Sequence, residues 1–212
     1  MTSTAFTRLE LAPAQHEALE ALGYRTMTPV QARGIPLILE GRDLIVRAKT
    51  GSGKTATFGI GLLNGINPRF FGAQALILCP TRELADQVGA EIRRLASRMP
   101  NIKVVMLCGG KPFGPQKDSL QHGAHIVVGT PGRIQDHLTK GTLVLEGVKT
   151  LVLDEADRML DMGFADTMKT IIADVPKSRQ TLLFSATYPD DIRKISQKIQ
   201  RNPATVTVDE DV

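Results

Sequence analysis

The stretch 43–58 reads DLIVRAKTGSGKTATF. Leu44, Ile45 and Val46 make a short apolar run of the kind that becomes a strand covered on both faces, and the residues from Lys54 onward read as a helix start. Gly51 and Gly53 lie between, followed at once by Lys54 and Thr55. Strand, glycine turn, Lys-Thr and helix in that order describe a phosphate-binding loop. Glycines let backbone N–H groups close around phosphate oxygens, and the helix N-terminus adds positive potential. The lysine reaches the β- and γ-phosphates, and the threonine hydroxyl is a ligand for Mg²⁺. This reading puts Ala48, Lys49, Thr50, Gly51, Ser52, Gly53, Lys54 and Thr55 around a nucleotide, with Lys54 also serving catalysis. Ala48 stands where the common pattern begins with glycine, and its small side chain keeps the approach close.

Outward from this loop, short β-rich runs alternate with helix-like stretches. Strands are predicted at 43–48, 74–79, 103–108, 125–129, 149–154, 180–185 and, more weakly, 204–208. Helices are predicted at 13–22, 29–39, 54–64, 82–97, 131–140, 164–173 and 189–200. Alternation of this kind gives an α/β fold, a mostly parallel sheet with helices on both faces. At 212 residues the chain suits one domain, with the acidic segment 209–211 read as the start of a linker.

A phosphate loop needs a partner strand ending in acid to hold its metal. The stretch TLVLDEADRML, residues 150–160, supplies one: Asp154 closes the apolar run and Glu155 and Asp157 follow. Carboxylates about 4 Å apart repel by roughly 4 kcal/mol at an effective dielectric near 20, so a positive partner is expected. Asp154 is assigned to Mg²⁺, directly or through water, and Glu155 to the water that attacks the γ-phosphate. Asp157 serves structure or coupling. Taken alone, Glu155 and Asp157 would equally suit an acidic helix N-terminus. The guanine-reading pattern is missing, since Thr139-Lys140-Gly141-Thr142 lacks its aspartate, and there is no kinase-type catalytic loop. The cofactors expected are ATP and Mg²⁺.

Composition narrows the classes further. The 26 Lys and Arg against 22 Asp and Glu permit an anionic partner without demanding one. Aromatic residues are 4% with no Trp, which argues against an extended base-stacking platform. Cys79 and Cys108 end β-rich runs and read as buried thiols, and His16, His122, His125 and His137 lack zinc-like spacing. No stretch approaches the ~20 apolar residues of a membrane span, so a cytoplasmic protein with no membrane partner is expected.

Seven ordered motifs, GYRTMTPVQ, AKTGSGKT, PTRELADQ, a GG pair, TPGR, LDEAD and SAT, resemble the amino-terminal RecA-like domain of a DEAD-box ATP-dependent RNA helicase over nearly the whole chain. The resemblance implies a RecA-like P-loop NTPase domain, with a Q-like motif region in residues 1–40. There Gln31 would hydrogen-bond the adenine edge and Tyr24 would pack on the ring, with Phe6 in support and Thr28 beside them. Local pattern alone favours core and helix-start roles for Tyr24 and Pro29. The family match implies that Thr81, Arg82, Gly110, Thr130, Gly132 and Arg133 grip the RNA backbone; without it, Thr81 and Thr130 would read as helix caps followed by surface arginines. Asp157, Ser185 and Thr187 are implied to couple nucleotide state to strand separation through hydrogen bonds.

Lys49 departs from the family, many of whose members carry Gln there. The implied partners are RNA and a second RecA-like domain carrying arginines for the γ-phosphate, which is expected to lie outside these 212 residues, as is a carboxy-terminal RNA-binding domain. The stretches LCGGKPFGPQKDSLQH and DEADRMLDMGF carry a narrower likeness, implying large-subunit ribosomal RNA as target. A monomer is expected. Two other readings stay open, a docking module with little turnover by itself and a DNA helicase domain.

Overall fold

The computed structural model describes residues 4–208; the acidic segment 209–211 lies outside them. The strands are β1 (Leu44–Arg47), β2 (Ala75–Leu78), β3 (Val104–Leu107), β4 (Ile126–Gly129), β5 (Thr150–Leu153), β6 (Gln180–Ser185) and β7 (Ala204–Thr207). The helices are α1 (Pro13–Ala21), α2 (Pro29–Leu39), α3 (Lys54–Asn64), α4 (Arg82–Leu95), α5 (Phe113–Gln121), α6 (Pro131–Thr139), α7 (Ala156–Asp161), α8 (Ala165–Ala173) and α9 (Asp190–Ile199). All the strand pairs are parallel, in the order β3-β4-β2-β5-β6-β1-β7.

The apolar runs without alternation are explained by burial on both sides. Leu44 and Val46 pack with Val30, Ile35, Phe58 and Val88 from α2, α3 and α4, whereas Ile45 faces the other way. Leu151 and Leu153 join Ile134, Met159, Ile171 and Ile192 from α6 to α9 on that second face. The apolar interior of the sheet is thereby removed from water on both faces, which is the condition for a parallel sheet, while Arg47 at the end of β1 and Thr205 in the edge strand β7 are exposed.

The predicted strands are all present, most of them a residue shorter at the ends. Two helices have no counterpart among the predicted elements: the short α7, and α5, whose sequence FGPQKDSLQ combines Gly114 and Pro115 with a weak apolar stripe. Pro115 is tolerated in the first turn, where its missing N–H has no intrahelical partner to lose. Past the other end Gly123 adopts φ +104°.

Because the strands run parallel, their C-terminal ends share one edge. Leu78 pairs in register with both Gly129 and Leu153, and Arg47 with Ser185. The loops that follow therefore meet in space although Arg47 and Ser185 stand 138 positions apart in sequence. Open parallel sheets place their ligands at this edge.

Candidate functional site

The phosphate loop leaves β1 at Ala48 and enters α3 at Lys54. Gly53, the residue before the helix, has φ +86°, and a Cβ there would lie 2.5 Å from Gln31 Nε2 and 2.9 Å from Thr28 Oγ1. Only glycine satisfies both the backbone and the space. Lys54 Nζ donates to Asp154 Oδ1 at 2.8 Å and lies 3.7 Å from Glu155 Oε1. The positive partner that the acidic cluster demands is thus the loop lysine itself. Burial holds the Asp154 carboxyl above its ordinary value, and the Lys54 ammonium offsets only part of that rise.

Asp154 Oδ2, Glu155 Oε2 and Ser52 Oγ are buried without a hydrogen-bond partner. Orphaned oxygens of this kind are costly unless something else satisfies them. A divalent cation carried by nucleotide phosphates fits, since Mg²⁺ typically takes one or two carboxylate ligands and completes its shell with phosphate and water oxygens. Asp154 and Thr55 would hold it. Among the described residues no cluster of His, Cys, Asp and Glu has the makings of a closed metal cage.

Glu155 sits in the left-handed region at φ 52°, ψ 52°, as the residue before α7. A non-glycine side chain there costs roughly 1–2 kcal/mol. The turn brings its carboxylate to Thr50 Oγ1, which donates to Oε1 at 3.3 Å, and to within 3.7 Å of an Arg158 guanidinium nitrogen. The strain holds the acid over the phosphate loop.

The Q-like region is bolted to the same loop. Thr28 caps α2, and a capping box forms in which the Gln31 side chain accepts from the Thr28 N–H at 2.8 Å. Thr28 Oγ1 donates to the Ser52 carbonyl at 2.8 Å and Gln31 Nε2 to the Gly53 carbonyl at 3.2 Å. Gln31, 3% exposed, retains one amide proton and one lone pair for a ligand. Pro29 is a helix-start residue, as local pattern favours. Tyr24 contacts Phe6 edge-on at 5.4 Å between ring centroids and donates its hydroxyl to Glu91. Burial, helped by Glu91, pushes that phenol up to about 12. Phe6 is buried in the core and packs against Tyr24. A cavity of about 560 Å³ beside Tyr24 is lined by α1 and the 3-10 turn Phe6–Arg8, with no phosphate-loop residue in its wall.

The link expected between Asp157, Ser185 and Thr187 is present only in part. Thr187 donates to Asp157 Oδ2 through both its N–H, at 3.1 Å, and its hydroxyl, at 2.9 Å. Ser185 is a correction: as the last residue of β6 it points inward, and its Oγ is buried and unpartnered rather than bonded to Asp157. Its carbonyl instead accepts from Ala48 N–H at 3.2 Å, which extends the β6–β1 pairing into the phosphate loop.

The remaining predicted residues lie at the ends of β2, β3 and β4. Thr81 caps α4, accepting from Leu84 N–H at 3.2 Å, and Thr130 Oγ1 accepts from Gly109 N–H at 3.1 Å. Gly110 has φ +79°, and a Cβ on it would come 3.1 Å from an Arg82 guanidinium nitrogen, so the exposed Arg82 lies over this glycine. Gly132 is exposed at the start of α6. Arg133 differs from the rest because its guanidinium is largely enclosed, donating to the Lys111 carbonyl at 2.6 Å and to Gln116 Oε1 at 3.1 Å. It holds the loop 109–112 in place more than it offers charge outward.

Gln116 was invisible to sequence reasoning and is the hub of this half. Its Nε2 donates to the Cys108 carbonyl at 3.0 Å, and its Oε1 accepts from Arg133 and from His137 Nε2, the latter at 2.9 Å. His137 stacks on Phe113 at 4.1 Å, with the Lys140 ammonium 4.2 Å from that ring's centroid. Burial first, and Arg133 second, push the imidazole down to about 4. The sequence signal for this cluster was Pro115 in a first turn with Gly123 past the last, which marks a helix rather than a loop.

The order β3-β4-β2-β5-β6-β1 sorts the site into two halves. Thr81, Arg82, Gly110 and Thr130 occupy one; the phosphate loop, Asp154 and Glu155 occupy the other. Thr187, following β6, sits between the ends of β5 and β1 and bonds to Asp157, two residues past Glu155.

A family model described as DEAD/DEAH box helicase matches residues 28–195. The ATP-dependent RNA helicase DbpA of Escherichia coli (strain K12) is 60% identical over 97% of this chain and 45% of its own. The DEAD-box ATP-dependent RNA helicase CshA of Geobacillus kaustophilus (strain HTA426) is 45% identical over 97% of this chain and 44% of its own. The chain thus spans less than half the length of these relatives. The crystal structure of a DEAD box protein from the hyperthermophile Methanococcus jannaschii superimposes with a TM-score of 0.92 at 42% identity, covering 96% of this chain and 55% of that one.

Proposed function

This chain belongs to the DEAD/DEAH box helicase family, and from that premise we propose that it is the ATP-binding, RNA-gripping motor domain of a cytoplasmic RNA helicase, working against a second RecA-like domain. The observation that carries the reading is the buried Lys54–Asp154 pair with Glu155 beside it, where Asp154 Oδ2 and Glu155 Oε2 are left without a hydrogen bond. Mg²⁺, when bound, would neutralise charge on the phosphates and polarise the bond to be cleaved. The chain's own residues do the rest. Backbone N–H groups of the glycine loop cradle phosphates, and Lys54 exchanges part of its bond to Asp154 for a phosphate oxygen. Glu155, held in its strained turn, accepts the proton of an attacking water. Gln31 and Thr28 tie the base-recognising helix to the loop, so adenine occupancy and phosphate position are read together.

RNA is proposed to lie along the half built by Thr81, Arg82, Gly110 and Thr130, whose N–H groups, hydroxyls and guanidinium suit a sugar-phosphate backbone. A ribosomal target rests on the likeness to DbpA alone. The Thr187–Asp157 bonds tie the turn after β6 to the helix that follows the acids, within the half that holds the phosphate loop. Calorimetry with ATP and Mg²⁺ tests the site: Lys54→Ala is expected to weaken binding at least tenfold, while Glu155→Gln in a chain carrying the second domain retains binding and loses RNA-stimulated hydrolysis. Unchanged ATP affinity in the first variant, or normal turnover in the second, refutes the assignment.

A further inference from the structure

At the opposite edge of the sheet, between the C-terminal ends of α8 and α9 and the start of β6, lies a cleft of about 480 Å³ that the motor reading leaves unused. Five cations line it: Lys169, Lys177, Arg179, Lys198 and Arg201. No carboxylate is in its wall. The two arginines are structural. Arg179, 8% exposed, donates to Thr181 Oγ1 at 2.9 Å and to the Ile199 carbonyl at 3.0 Å, and Arg201 donates to the Arg179 carbonyl at 3.0 Å. Asp43, the nearby buried acid, is already committed to the N–H groups of Thr181 and Arg201. The three lysines are exposed, and among the described residues none forms an ion pair. Ile172, Val175 and Ile199 give the cleft an apolar floor.

A solvated lysine face is the ordinary fate of such residues, and lysines near helix C-termini also offset the negative ends of the macrodipoles. Two half-charges and the Asp43 carboxylate, whose charge acts on Arg179, do not balance five cations converging on one concavity, so the field there stays positive. A concave wall of cations with an aliphatic floor is matched by a strand of phosphates and sugars, and the relatives of this chain are named RNA helicases. We propose that this cleft is a second RNA-backbone site, gripping phosphodiesters at the edge of the sheet remote from the nucleotide. β6 separates the two edges by six residues, about 20 Å of strand, so RNA held there would not compete with ATP. The cleft would act as a tether, keeping a long RNA on the motor while the nucleotide edge releases its strand.

The inference rests on the reading of the chain as an RNA-binding motor, and the test separates the two. Fluorescence anisotropy of a labelled oligouridylate is measured with ATP and Mg²⁺ against salt for the parent chain, for Lys169→Glu/Lys177→Glu/Lys198→Glu and for Arg82→Ala. Loss of three phosphate contacts should flatten the slope of log K against log salt by about 2 and weaken binding at least tenfold near 0.1 M salt. ATP affinity and the unfolding midpoint should not move. If the triple variant binds like the parent, or if its only change is a lower midpoint, the cleft is structural and the proposal falls while the motor reading stands. If Arg82→Ala changes nothing while the triple variant weakens, the RNA assignment of the nucleotide edge falls and the cleft stands. Competition by inorganic phosphate at matched ionic strength, equal to that of RNA per phosphate, would mark a small-anion site and overturn the RNA claim, as would failure of the parent chain to bind the RNA.

Discussion

Glu155 concentrates the conflict between stability and chemistry in one residue. Its left-handed backbone is unfavourable for any side chain, its carboxylate adjoins buried Asp154, and one of its oxygens lacks a hydrogen bond. Glycine would remove the strain and the charge together. Glu155→Gly is therefore expected to raise stability by up to about 1 kcal/mol in urea unfolding while eliminating hydrolysis in the two-domain protein. A loss of stability would mean that the contacts with Lys54 and Thr50 outweigh the strain, and that the turn is not a reservoir held for function. Lys54 and Asp154 follow the same logic. A pair this buried repays its desolvation only through close contact, and here the contact is one that a phosphate can share.

At the scale of elements, α5 and α6 form a unit whose order passes through Gln116 and His137. The imidazole is held neutral because it is buried and faces Arg133. The folded group titrates at about 4 and the unfolded one near 6.5, so between those values the unfolded chain binds the extra proton. Stability is therefore at its full value above about pH 6.5 and falls as pH drops toward 4. The fall due to this group should be on the order of 2 kcal/mol between pH 7.5 and 5 in urea titrations, and His137→Gln should remove that part of the slope. A variant with the parent's full pH dependence would show that His137 is not the titrating group. The sequence left His137 as surface or core, since a single histidine without a zinc-like partner carries no further signal. Its role depends on Gln116 and Phe113 arriving from a helix that weak amphipathicity concealed.

For the whole molecule, the parallel sheet brings the two proposed ligand sites to one edge. Phosphate loop and acids stand at the ends of β1 and β5, the residues assigned to RNA at β2, β3 and β4, and Thr187 follows the strand between β5 and β1. Relatives of this chain are about twice its length or more, and the second RecA-like domain proposed above would supply arginines to the γ-phosphate. Arginines of that kind contribute about 10³–10⁵ in rate. With RNA saturating, this chain is expected to bind ATP yet turn it over at least about 10³-fold more slowly than a chain joined to that domain, measured by single-turnover phosphate release. Comparable rates would place the full catalytic apparatus within these 212 residues.

Local pattern was enough for the phosphate loop, the acid-ended strand and the alternation that gives a parallel sheet. Glycine placement, apolar runs and helix starts act over a few residues, so one chain segment displays them. Motif likeness added assignments to adenine and RNA without giving the geometry of those residues. Only the tertiary structure decided that Lys54 rests on Asp154, that Ser185 turns inward while Thr187 alone reaches Asp157, and that Arg133 is committed to the Lys111 carbonyl and Gln116. Those contacts join residues from 17 to 100 positions apart. Which side chain meets which is fixed by strand order and register, and by which polar atoms burial leaves without water.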